Sequence, residues 1–101
     1  AVGQDEYGNL LKAALDAAGV VPLLKEVSDD RTGICAALVD VDSKDRTLCM
    51  VRGASARLDV AHVEEPHVSN FVSEASMLYV TSFVLTSQPR VGAVRALVSR
   101  L

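Results

Sequence analysis

Two apolar runs, residues 32–41 and 46–54, flank Asp42-Ser43-Lys44-Asp45, and no other stretch restricts the fold as tightly. The runs are rich in Val, Ile, Leu and Cys, which suit a pleated surface, while the four residues between them resist burial. The pattern predicts a β-hairpin. Strand side chains alternate between faces. Cys35 and Ala37 therefore share one face of the first strand. Arg46, Leu48, Met50 and Arg52 share one face of the second, with Thr47, Cys49 and Val51 on the other. One face of this ribbon carries an apolar middle with a cation at each end. Such a face suits a flat apolar ligand with an anion at its edge.

The rest of the chain allows one modest core or part of a larger domain, because 101 residues bury only a limited area. Half of the residues are hydrophobic, too many for a disordered tail. A net charge of -3 argues against nucleic-acid binding, and aromatic residues at 4% with no Trp leave no base-stacking platform. No apolar run approaches the ~18 residues of a membrane span, and residues 1–5 lack the pattern of a secretory leader. Cys35 and Cys49 lie in strand-like runs and are expected as buried free thiols of a reducing compartment; a disulfide between facing strands would need an oxidising one. The chain starts as if inside a strand and stops as if inside a helix, so it is expected to be a piece of a longer protein.

Along the chain, Ala1-Val2-Gly3 reads as a strand end and Asp5 as a helix N-cap. Tyr7, Leu10, Leu11, Ala14, Leu15 and Ala18 form a helical apolar stripe, closed by Gly19. Residues 20–27 read as a strand, at an edge or beginning after Pro22. Gly53-Ala54-Ser55-Ala56 ends the hairpin. Asp59 caps a short helix that stops before Pro66, and Pro66 opens another reaching about Ser73. The unbroken apolar run 77–84 predicts a strand buried on both faces. Thr86, Ser87 and Pro89 then introduce a helix with a stripe of Val91, Val94, Val98 and Leu101. Strand, helix, β insertion, short helices, strand and helix is an α/β order with a parallel sheet. Residues 1–19 and 57–101 would belong to a large α/β domain, with residues 20–56 standing off it as a β lid.

Four segments in this order resemble the ribokinase-like (PfkB) carbohydrate and nucleoside kinases, and within them the adenosine kinases. They are Val2-Gly3-Gln4-Asp5-Glu6-Tyr7-Gly8, Thr32-Gly33-Ile34-Cys35-Ala36-Ala37, residues 46–56, and Tyr79-Val80-Thr81-Ser82-Phe83-Val84-Leu85-Thr86. The resemblance implies a three-layer α/β fold with a small β-sheet lid over a nucleoside. It implies ATP-dependent phosphorylation of adenosine in the cytoplasm, by a monomer or a lid-paired dimer. ATP and Mg2+ would be bound mostly through segments outside these residues. Matching positions make Cys35, Leu48, Met50, Arg52 and Val84 substrate contacts, and Arg46 a contact to the transferred phosphate. Arg52 stands where the family usually has an apolar contact, and Val84 where an aromatic is common. The family's Gly-Gly…Asn and Gly-Ala-Gly-Asp motifs do not occur in these residues, so no general base is assigned and the isolated segment is expected to be inactive. A sugar kinase of the same superfamily and a non-catalytic dimerisation lid are the alternatives.

Other patterns carry less. His62 and His67 are five apart across Pro66 and fall on different helix faces, a poor zinc spacing. Asp40, Asp42 and Asp45 lack the glycine and closing Glu of a calcium loop. No Walker loop, dinucleotide glycine fingerprint or nucleophile elbow is present.

Overall fold

The computed structural model describes residues 1–101, in two units: Ala1–Pro22 with Glu26–Ser55, and Leu23–Lys25 with Ala56–Leu101. In the first, β1 (Val2–Gly3) leads into α1 (Glu6–Ala17), and β2 (Glu26–Val27) lies parallel to β1 with Val2 opposite Glu26. Val2 and Val27 are buried at this pair. The strand expected over residues 20–27 is reduced to its last two residues, after Pro22, which cannot donate to a ladder. Asp5 caps α1 through its side chain, and Gly19 follows the helix at φ 73°. The predicted stripe on α1 is largely bare: Tyr7, Leu10 and Leu11 are exposed, and the helix packs on β1 through Gly8.

β3 (Ile34–Val39) and β4 (Arg46–Val51) form the predicted antiparallel hairpin. Cys35 is opposite Met50, Ala37 opposite Leu48 and Val39 opposite Arg46. At the tip the Asp40 carboxylate accepts from the amides of Asp42 (2.9 Å) and Ser43 (2.7 Å), an Asx turn that spares those donors from waiting on water. The Ser43 amide, as the leading cause, holds the Asp40 carboxyl below its ordinary value. Lys44 completes the turn at φ 62°, a left-handed conformation uncommon outside glycine and Asn.

Every residue of both strands is exposed. This corrects the expectation for Cys35 and Cys49, which are free thiols but exposed ones. A strand residue is buried only where another layer covers its face, and alternation alone does not supply that layer.

In the second unit, reached through a 3-10 turn at Gly53–Arg57, α2 (Val60–Glu64) starts at Asp59 and α3 (Pro66–Ser73) starts on its proline, both as predicted. The Asp59 carboxylate accepts from the His62 amide at 3.1 Å and pairs with Lys25. Lys25, first among the causes, keeps the Asp59 carboxyl below its ordinary value. The run 77–84 is not a strand. Residues 77–81 are irregular and Ser82–Thr86 form a 3-10 turn. Met77 and Tyr79 are 82% and 86% exposed. A strand satisfies its amides only beside another strand, and this unit contains none. α4 (Arg90–Val98) packs on α2 and on this turn, and Val63, Val68, Ala93 and Val94 make the core.

Candidate functional site

The ladder register puts Cys35, Ala37 and Val39 of β3 on the same side of the hairpin as Met50, Leu48 and Arg46 of β4, because directly opposed residues in an antiparallel pair point the same way. The result is an apolar strip, with the Arg46 guanidinium on the residue next to the tip turn. Leu48 and Met50 are about half exposed. Arg52 lies just beyond the last strand residue, so strand alternation no longer fixes its side. Its carbonyl accepts from the Ser55 hydroxyl at 2.6 Å. Val84 belongs to the second unit. There it helps line an apolar cavity of about 230 Å³ with Leu58, Leu78, Tyr79, Val94 and Leu97.

The root of the hairpin is built by residues far apart in sequence. Asp5 Oδ1 accepts from the Gly8 amide at 2.8 Å and from the Thr32 hydroxyl at 2.6 Å. Asp5 Oδ2 accepts from the Thr32 amide at 2.8 Å. The Thr32 hydroxyl in turn accepts from the Gly3 amide at 2.9 Å. Helix, strand and hairpin therefore meet at one carboxylate. Gly8 permits the approach: a β-carbon placed there would lie 2.3 Å from the Gly3 carbonyl oxygen. The capping role of Asp5 is legible in sequence, whereas the tie to Thr32, 27 residues away, is not.

The Thr32 hydroxyl, then the Thr32 and Gly8 amides, hold the Asp5 carboxyl below its ordinary value. A carboxyl lowered by folding stabilises the fold above its unfolded pKa of about 4, and that contribution is lost as pH falls through the folded value. Asp5→Asn is therefore expected to flatten the acid limb of a stability curve below about pH 4. Denaturant midpoints from pH 2 to 7 measure it, and an acid limb identical in slope would reject the assignment.

Sequence reasoning also missed Arg90. Thr86 and Ser87, expected as helix caps, instead accept from Arg90 Nη2 at 3.2 and 3.0 Å, and the guanidinium lies 5.3 Å from the Phe83 ring centre. The arginine is buried, and its Nε has no hydrogen-bond partner. His62 is buried as well, with Nε2 3.1 Å from the Leu23 carbonyl and Nδ1 3.2 Å from Glu65. Glu65 reaches His67 Nδ1 with its other oxygen at 3.6 Å. No group of three or more His, Cys, Asp or Glu residues is placed to hold a metal ion, and no helix is long and apolar enough to cross a membrane.

Residues 1–97 match the pfkB family of carbohydrate kinases. The chain belongs to that family. Within it, the chain is 33% identical over 88 residues to an adenosine kinase of Schizosaccharomyces pombe, covering 87% of this chain and 26% of that protein. It is 32% identical over 88 residues to the adenosine kinase of Dictyostelium discoideum, covering 87% and 25%. The crystal structure of Anopheles gambiae adenosine kinase in complex with P1,P4-di(adenosine-5) tetraphosphate matches 98% of this chain and 29% of that one, with a TM-score of 0.82 and 26% identity. Ribokinase from Giardia lamblia matches over 74% of this chain and 22% of its own, with a TM-score of 0.64 and 25% identity. The chain spans about a quarter of the length of the curated relatives it matches. These likenesses establish the ribokinase-like α/β fold for this segment of a pfkB-family protein.

Proposed function

We propose that this pfkB-family chain is the lid-bearing segment of an adenosine kinase, which transfers the ATP γ-phosphate to the adenosine 5′-hydroxyl and so makes AMP for purine salvage in the cytoplasm. Residues 20–56 act as the lid, and residues 1–19 and 57–101 belong to the large α/β domain. The reading is carried by the hairpin face on which Cys35, Leu48 and Met50 line up behind Arg46. The likeness to adenosine kinases over most of the chain supports it.

The chemistry follows from that face. Closing Cys35, Leu48 and Met50 over a purine removes apolar surface and water together, which strengthens every charge interaction beneath. Arg52 and, in the second unit, Val84 are proposed as further substrate contacts on their match to family positions alone. Arg46 presents a planar cation where negative charge spreads over the equatorial phosphoryl oxygens in the transition state. Mg2+ supplies charge neutralisation when ATP is bound, but the carboxylates of this chain do not converge on a site for it. No Asp of this chain is assigned as general base.

A chimera of family length, with this chain in place of its counterpart in the S. pombe enzyme, tests the reading. It is expected to consume ATP with adenosine and not with ribose or fructose phosphates. The likeness to a ribokinase favours a sugar kinase as the second reading. ATP consumption driven by a sugar and not by adenosine would establish that reading and overturn the first.

A further inference from the structure

We propose that Asp5 is a positioning residue for the phosphoryl transfer, which through Thr32 sets the angle at which the hairpin is held over the acceptor. The inference rests on the adenosine kinase reading and adds to it a residue remote from the reacting atoms.

Both roots of the hairpin converge on residues 31 and 32. The entering strand is held at Thr32, whose amide and hydroxyl both donate to Asp5. The returning strand is held one residue earlier, where the Ala54 amide donates to the Arg31 carbonyl at 2.7 Å. Beyond those points all residues of β3 and β4 are exposed, and each strand's extensive packing is with the other. Within this segment the hairpin is thus anchored at its base. From Ile34 to Val39, opposite Arg46, five steps of strand span about 16 Å, so a tilt of about 5° at the root moves the tip by about 1.4 Å. A displacement of about 1 Å at a reacting centre can cost about a hundredfold in rate. Asp5 is itself immobilised, because the same carboxylate caps α1 through Gly8 and the Gly3 amide closes the circuit onto Thr32. A cap alone would need only one carboxylate oxygen and no partner 27 residues away.

The test separates capping from positioning. Asn caps helices about as well as Asp, so Asp5→Asn keeps an acceptor for Gly8 while turning an NH2 group toward the Thr32 amide. Thr32→Val removes the hydroxyl and leaves the backbone, and Thr32→Ser restores it. In the family-length chimera, Asp5→Asn and Thr32→Val are expected to lower kcat/KM by about tenfold or more, with a raised KM for adenosine and with Thr32→Ser within about twofold of the parent. Hydrogen exchange is expected to quicken at residues 33–51 and to stay unchanged in α1. A kcat/KM within about twofold of the parent for both variants would overturn the proposal. So would a loss of activity with unchanged KM and faster exchange in α1, the signature of a merely structural role. If the parent chimera ignores adenosine, the functional reading fails on its own. The exchange data still judge the clasp, and unchanged exchange at residues 33–51 in Asp5→Asn removes it.

Discussion

On the proposed reading, Arg46→Ala is expected to lower turnover of the chimera by about tenfold or more while the KM for adenosine changes little. Arg46 sits at the tip end of β4, opposite Val39, with Leu48 and Met50 behind it on the same face. Truncating it leaves that apolar strip intact, so binding of the proposed purine should be retained. What the proposed role would lose is a charge-assisted donor to oxygens that become more negative only as the phosphoryl group transfers, and such a contact appears in kcat and not in ground-state affinity. Tenfold is about 1.4 kcal/mol, a modest demand on an arginine facing a transferring phosphoryl group. Arg46→Lys keeps the charge but loses the planar two-point fork, so its turnover should fall between the two. Steady-state kinetics with adenosine as the varied substrate decide the matter. Unchanged kcat in Arg46→Ala would remove the arginine from the chemistry.

Gly53→Ala is expected to be the most damaging single methyl in the chain. Gly53 has φ 49°, and a β-carbon placed there lies 2.2 Å from the Arg31 carbonyl oxygen and 3.2 Å from its carbonyl carbon. Those atoms are backbone, and the neighbouring Ala54 amide is bonded to that same oxygen, so the obstruction cannot swing aside as a side chain would. Left-handed strain costs about 1 kcal/mol and overpacking about 1–3 kcal/mol more, giving about 2–4 kcal/mol together. Folded proteins are typically stable by about 5–15 kcal/mol, so much of the margin would go. Urea midpoints of the family-length chimera measure it, and a loss below about 0.5 kcal/mol would show that the backbone is not so closely approached.

Features whose causes are local were readable from sequence. Asp5 and Asp59 act as N-caps and Pro66 opens its helix, because each effect needs only a side chain and the backbone within three residues of it. Face sharing in the hairpin was equally legible, since strand alternation is a geometric rule. What failed depends on distant partners. The apolar run 77–84 has strand composition, but without a neighbouring strand its amides have no ladder to join. The exposure of Cys35, Cys49 and the Tyr7–Leu11 face reflects which layers surround an element, and no window of sequence contains that. The Asp5–Thr32 tie and the burial of Arg90 against Phe83 belong with these, because a polar side chain does not announce which remote donor or ring will meet it.

One further property follows from the two thiols. Cys35 faces Met50 across the ladder and Cys49 faces Ala36, so the sulfurs sit back to back on opposite sides of the same ribbon. They cannot be bridged to each other without twisting the strands apart. Two independent chemical handles result, one on the flank that carries Arg46 and one on the reverse. An alkylating dye therefore reports separately on which flank of the blade is shielded, with no engineered label required.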